Sequence, residues 1–180
     1  MQLNDKEIVE HIKNGTDANR AFRVLVERYQ ERLYWHIRRI VVNHDDTDDI
    51  LQNVFVKSWK GIANFREDAN LYTWLYRIAT NESITFINKR KKENQIDLET
   101  ESYHLKAGES DYLMDGDEIQ IKLENALLTL PEKQRAVFHM KYYDDMKYTQ
   151  ISEVVGTSVG ALKASYHLAV KKIEKYLTEH

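Results

Sequence analysis

Between His44 and Asp49 the chain reads His-Asp-Asp-Thr-Asp-Asp, and four aspartates beside an imidazole are residue types that could hold a divalent cation. The plainer reading is that acids at the start of a helix complement the positive end of its dipole and need no ion. Nothing elsewhere supplies a second, spaced set of carboxylates or a nucleophile next to a base, so an enzymatic reading has little to stand on. The 180 residues include no cysteine, which excludes thiolate zinc sites, cysteine nucleophiles and disulfides.

A second group of residues suits a different chemistry. Phe65 and Arg66 lie in the stretch Gly61 to Asn70, whose glycine, asparagines and charges read as a loop. An aromatic there is either a stacking platform for a base or a plug for the domain edge, and the sequence leaves both open. Tyr72, Trp74 and Tyr76 follow, then Arg77, Asn81 and Thr85, then the run Lys89-Arg90-Lys91-Lys92. Basic residues at a helix C-terminus suit the dipole on their own. Rings interleaved with a basic end say more, because exposed bases stack on rings while phosphates need cations.

The third group closes the chain. Tyr148 to Leu177 reads as two helices around a tight turn at Gly156, where a positive φ costs glycine nothing. Ile151, Val154 and Val155 form the inner stripe of the first helix, and Ser158 caps the second. Leu162, Tyr166, Ala169, Ile173 and Leu177 recur on one face of that second helix, while Ala161, Lys163, Ala164, His167, Lys171 and Lys172 look outward. A small, cationic outer face can enter a major groove. Two amphipathic helices around a glycine also describe a corner of any all-helical domain, so this motif needs support from the rest of the chain.

The elements that must position these groups are helical throughout, as one proline and six glycines suggest. Residues 3 to 13 read as a short helix starting near Asn4; Asn14-Gly15-Thr16-Asp17 ends it and caps the next. A helix of roughly seven turns runs from Ala18 to Val42, and another from Asp48 to Trp59. The latter, with Ile50, Leu51, Val54, Phe55, Val56 and Trp59 around more than one face, either sits deep in a core or offers a partner surface. Leu71 to Lys92, Ile119 to Leu128 and Gln134 to Tyr143 complete the set, the last opened by Leu130-Pro131 with proline at its first turn.

Charge divides the chain. The formal net charge of −3 resolves into +3 over residues 1–92, −8 over 93–118 and +2 over 119–180. Two basic blocks around an acidic, aperiodic connector imply two nucleic-acid-facing domains on a tether of different purpose. Met1 to Lys13 lacks the pattern of a signal peptide and no apolar run reaches membrane-spanning length, so a cytoplasmic address without membrane insertion is expected.

Three ordered motifs now carry a resemblance. Asp46, Asp49, Ile50, Gln52, Val54, Phe55 and Trp59 fill a D-x-x-D-[LI]-x-Q-x-V-F-x-x-x-W pattern; Tyr72, Trp74, Leu75, Tyr76, Ile78, Ala79 and Asn81 fill Y-x-W-L-Y-x-I-A-x-N; Leu130, Pro131, Arg135, Val137 and Phe138 fill L-P-x-x-x-R-x-V-F. Over nearly its whole length the sequence resembles an extracytoplasmic-function (ECF) sigma factor of the sigma-70 family. The resemblance implies an all-α fold of two small helical domains joined by a flexible acidic linker: region 2 over 1–92, the linker over 93–118, and the region 4 helix-turn-helix over 119–180. It implies a non-enzymatic protein without cofactor or metal, whose partners are core RNA polymerase and promoter DNA, with an anti-sigma factor as a further partner that exposed apolar faces would allow. Asp46, Asp49, Gln52 and Phe55 would dock on the polymerase. Phe65, Arg66, Tyr72, Trp74, Tyr76, Asn81, Thr85, Lys89 and Arg90 would bind and melt the minus 10 element, with Phe65 and Asn81 holding a flipped base. Ser158, Ala161, Lys163, Ala164, His167 and Lys171 would read the minus 35 element, and the acidic linker would follow a nucleic-acid path through the polymerase. A polymerase-independent helix-turn-helix regulator is the alternative, and it leaves Phe65, Asn81 and the clamp-like helix without a use.

The recognition helix departs from the family. Many relatives read V-K-S-R-L-x-R-A-R, whereas Leu162 to Val170 reads LKASYHLAV, placing Ser165, Leu168 and Val170 at arginine positions. Fewer phosphate clamps imply weaker, less salt-dependent minus 35 binding, with shape and methyl contacts in place of bidentate guanine reading. Asn53 also stands where an acid is common on the clamp helix.

Overall fold

The computed structural model describes residues 3–66, 69–96 and 118–179. Among them are eight α-helices and no strand: α1 (Asp5–Lys13), α2 (Ala18–Val41), α3 (His44–Gly61), α4 (Leu71–Ile96), α5 (Glu118–Leu128), α6 (Glu132–Tyr142), α7 (Tyr148–Val155) and α8 (Val159–Glu179), with a 3₁₀ turn at Ile62–Asn64. The all-α expectation holds. Most of the expected linker, from 97 to 117, lies outside the described residues.

Local chemistry accounts for most boundaries. Asn4 opens α1 with a reciprocal capping box, its side chain accepting from the Glu7 N–H while Glu7 accepts from the Asn4 N–H. Asp17 does not cap α2 as expected; it adopts φ +55° and its carboxylate makes no cap bond. The α3 helix begins four residues before the expected Asp48, because Asn43 accepts from the Asp46 N–H and so starts the helix at His44. Asp45 and Asp46 therefore occupy its first turn, where the dipole favours them. The α4 helix runs past Lys92 to Ile96.

Helices α1 to α4 pack around α2, whose buried stripe is Leu25, Tyr29, Leu33, Ile37 and Ile40. Asp5 anchors α1 to it by accepting from Tyr29 Oη and pairing with Arg28. Helices α5 to α8 form a second unit, in which Ala126, Leu127, Leu130, Phe138, Ala169 and Ile173 share a core.

The two units are in contact. The α6 helix packs on α2 and α7 packs on α4, so that Ala136, Val137, Met140, Ile151 and Val154 join one continuous apolar core with residues of α2 to α4. Arg135 Nη2 donates to the Ile40 carbonyl at 2.6 Å across a buried boundary. The Arg39 guanidinium lies 4.3 Å from the Tyr143 ring centroid and 3.6 Å from the Asp144 carboxylate, and Lys91 pairs with Glu132. Thr80 already gives its hydroxyl proton to the Tyr76 carbonyl, so it accepts from His36 Nε2–H at 2.8 Å, leaving Nδ1 facing Asp144 at 3.7 Å.

His139, fully buried on α6, makes no well-aligned hydrogen bond through either ring nitrogen. Burial, then the nearby Arg39, Arg135 and His36, hold its pKa well below the ordinary value, with only the Arg39 backbone opposing them. A free imidazole titrates near 6.5, so the unfolded chain takes up this proton before the folded one. Its share of stability is therefore complete above about pH 6.5 and shrinks as pH falls, by up to about 1.4 kcal/mol per unit. Urea unfolding at pH 7.5 and 5.5 should show a smaller loss for His139→Leu than for the parent chain.

Candidate nucleic-acid interface

The helix-turn-helix is built from α7 and α8. Gly156 ends α7 at φ +65°, and the Ser158 hydroxyl accepts from the Ala161 N–H at 3.3 Å. Leu162, Ala169 and Ile173 are buried, with Tyr166 and Leu177 half-buried beside them, while Ser158, Ala161, Lys163, Ala164, His167, Lys171 and Lys172 are all exposed. The α8 helix is held from α6: Gln134 Nε2 donates to the Ser165 carbonyl at 3.0 Å, and the Phe138 and Tyr166 rings stack 5.5 Å apart at 14°. Lys163 Nζ sits 5.9 Å from the Tyr148 ring centroid, so a ring of α7 steadies a cation of α8.

Helix α4 displays Asn81, Thr85 and Lys89 at four-residue steps, all exposed, a ladder of about 12 Å. The aromatics expected beside them are placed differently. Tyr76 is fully buried, and burial pushes its phenol far above the ordinary range. Tyr72 is half-buried with its ring 4.4 Å from that of Tyr76, and burial raises its pKa too. Phe65 is only 6% exposed, packed edge-on against Trp74 at 5.1 Å. In this seat Phe65 plugs the edge of the domain. Its carbonyl accepts from Lys13 Nζ at 2.7 Å, which ties the loop to α1. Gly61 fits under the same tryptophan, since a Cβ there would lie 3.2 Å from Trp74 Cζ2. Arg66 is exposed.

The acid-rich helix carries a third surface. Asp49 and Gln52 are exposed on α3 and Phe55 is half-buried against Phe22, their rings 6.4 Å apart. Val56 (46% exposed) and Trp59 (40%) lie on the same outward side as Asp49 and Gln52. The helix therefore offers the partner surface that its apolar residues on more than one face allow, with Val56 and Trp59 beside the expected docking residues. Asp46 pairs with Arg90, so two residues expected at different sites meet. His44 hydrogen-bonds Tyr34 and faces Asp48. Among the described residues no group of three or more His, Asp or Glu side chains is placed to hold a metal ion. Nor is any helix long and apolar enough to cross a membrane.

Residues 25–93 match the sigma-70 region 2 model and residues 120–173 match the sigma-70 region 4 model. The chain is 30% identical to the RNA polymerase sigma-H factor of Pseudomonas aeruginosa over 185 residues, 98% of this chain and 95% of that one. It is 28% identical to the ECF RNA polymerase sigma factor SigW of Bacillus subtilis, over 99% of this chain and all of the other. This chain belongs to the ECF sigma factors of the sigma-70 family. As a sigma factor it works with RNA polymerase on promoter DNA to start transcription, and it is not an enzyme. The sigma factor shares its fold with CnrH, solved in complex with the cytosolic domain of CnrY, at a TM-score of 0.72 and 22% identity over 97% of each chain. It also shares it with the sigma factor RpoE of Bartonella quintana, at 0.68 and 20% over 87% of this chain and 96% of that one.

Proposed function

We propose that this sigma factor divides its work among three surfaces. The outward side of α3, with Asp49, Gln52 and Phe55 and with Val56 and Trp59 beside them, docks on core polymerase, and Asp46 supports that helix through Arg90. Region 2, residues 1–92, holds the opened minus 10 element through Asn81, Thr85 and Lys89, with Arg66 and the Phe65, Tyr72, Trp74 and Tyr76 cluster behind them. Region 4, residues 119–180, reads the minus 35 element through the outer face of α8, and residues 93–118 connect the two. The chain works in the cytoplasm. The single observation that carries this reading is α8 itself, buried along one side and exposing Ala161, Lys163, Ala164, His167 and Lys171 away from it, with Ser158 exposed just before its first residue.

Two consequences follow from the geometry. Phe65 must leave its seat against Trp74 before it can stack on a base, and the two units must part before both promoter elements can be held. An anti-sigma factor is a further partner; the Bartonella quintana relative was solved bound to the anti-sigma factor NepR, and Val56 and Trp59 here offer apolar surface for such a protein.

Lys163 tests the assignment of α8. Lys163→Ala should weaken minus 35 binding by the polymerase complex at every sequence alike and lower the slope of log affinity against log salt by about 1, while leaving opening at a strong minus 10 element nearly unchanged. A salt slope unchanged by the substitution would remove Lys163 from the DNA.

A further inference from the structure

Leu168 is 55% exposed, one of few large apolar side chains on the surface of the described residues. It stands where the recognition helix of many relatives carries arginine, and α8 has no arginine at all. With Ala161, Ala164 and Lys171 it follows the spacing i, i+3, i+7 and i+10, which places these four on one side of α8. That side faces away from the buried Leu162, Ala169 and Ile173. His167, Lys171 and Lys172 are exposed around it. A Cβ added at Gly160, in the turn below, would meet nothing within 4 Å, so the approach to this side is open.

An exposed leucine beside two lysines is an odd surface for water and a suitable one for a duplex. The cations neutralise phosphates and bring the helix into the major groove. Within that groove the base edges present hydrogen-bonding groups and one apolar group, the 5-methyl of thymine. A leucine pressed against a guanine or adenine edge would desolvate acceptors and donors without pairing them, which costs free energy. Pressed against a methyl it costs nothing and buries apolar area on both sides. The small side chains at Ala161 and Ala164 let the helix backbone come close enough for this. Leu168 lies about 10 Å along the axis from Ala161, roughly three base pairs of duplex.

We infer that Leu168 is a specificity-determining residue that reads a thymine methyl in the minus 35 element, about three base pairs from the bases under the first turn of α8. The inference rests on the reading that α8 contacts the minus 35 element. It turns the loss of arginine into a change of preferred base.

The test uses the full chain reconstituted with core polymerase and a promoter selected from a randomised library. Each thymine of the selected minus 35 element is replaced in turn by deoxyuridine, which keeps the base pair and removes only the methyl. At one or two adjacent positions the replacement should lower affinity about fourfold, the value of one buried methyl group. Leu168→Ala should bind thymine and deoxyuridine promoters within about twofold of each other, and Leu168→Arg should select guanine at that position in place of thymine. Equal binding of thymine and deoxyuridine at every position, on a promoter whose minus 35 element is still required, would overturn the inference alone. So would a Leu168→Ala variant that loses activity on all templates while keeping the methyl preference, the behaviour of a protein-contact residue. If randomising the whole minus 35 element changes nothing, the underlying assignment of α8 falls, and the inference with it.

Discussion

Joining residues 91 and 132 through a short thiol-reactive bridge will shut off transcription from promoters that need both upstream elements, and cleaving the bridge will restore it. Lys91 on α4 pairs with Glu132 on α6, so the two positions face each other where the units meet. The chain has no cysteine of its own, so Lys91→Cys with Glu132→Cys gives one defined bridge. The reason is a matter of length. Minus 10 and minus 35 elements stand about 25 base pairs apart, roughly 85 Å of duplex at 3.4 Å per pair. A compact chain of this size has a radius of gyration of about 16 Å and a diameter of roughly 40 Å. Closed, the sigma factor can touch one element but not both. On the proposed division of surfaces, the buried Arg135 bond to Ile40 and the shared apolar core have to open, with the polymerase supplying the free energy by binding the open form more tightly. The bridged protein should drop to background in a run-off assay. Full activity with the bridge intact would mean that the closed contact is kept during initiation.

Asn81→Ala should leave polymerase binding and duplex affinity intact and cut strand opening by about 100-fold. Holding a base outside the stack costs a few kcal/mol that the protein must return, and each 1.4 kcal/mol is tenfold. Asn81 is exposed on α4, so its replacement should disturb folding little. Phe65→Ala is a less clean experiment, because Phe65 is buried against Trp74 and truncating it should also destabilise region 2 by about 3 kcal/mol or more. Phe65→Leu keeps much of the packing and removes the ring. Permanganate footprints should show a weakened bubble for Asn81→Ala and for Phe65→Leu at temperatures where both are folded; an unchanged bubble for Asn81→Ala would remove that residue from the opened strand.

What the sequence made legible was local. The stripe Leu162, Ala169, Ile173 is buried as its period predicts, because a helix sorts its faces by spacing alone. Gly156 takes the left-handed turn that its residue type favours. The start of α3 is not marked by its aspartates, since the residue that caps it is Asn43, one before His44. The seat of Phe65 has no local signature, since what buries it is Trp74 across the loop, with Lys13, 52 residues away, tying its carbonyl. The meeting of the two units was hidden for the same reason. Arg135 was legible as a motif residue, but its bond to Ile40 joins positions 95 apart, and no local pattern encodes that. Leu168 showed as a departure from the family, while its exposure on the reading side needed the fold.

The most direct test of the account is a distance. Spectroscopic labels at Glu27 and Glu174, both exposed and neither among the residues proposed to touch polymerase or DNA, report on the separation of region 2 and region 4. The free chain should give one short distance, and the same labels in the initiating complex of polymerase and promoter should move apart by tens of ångströms. A complex that starts transcription with the free chain's distance unchanged would contradict the account.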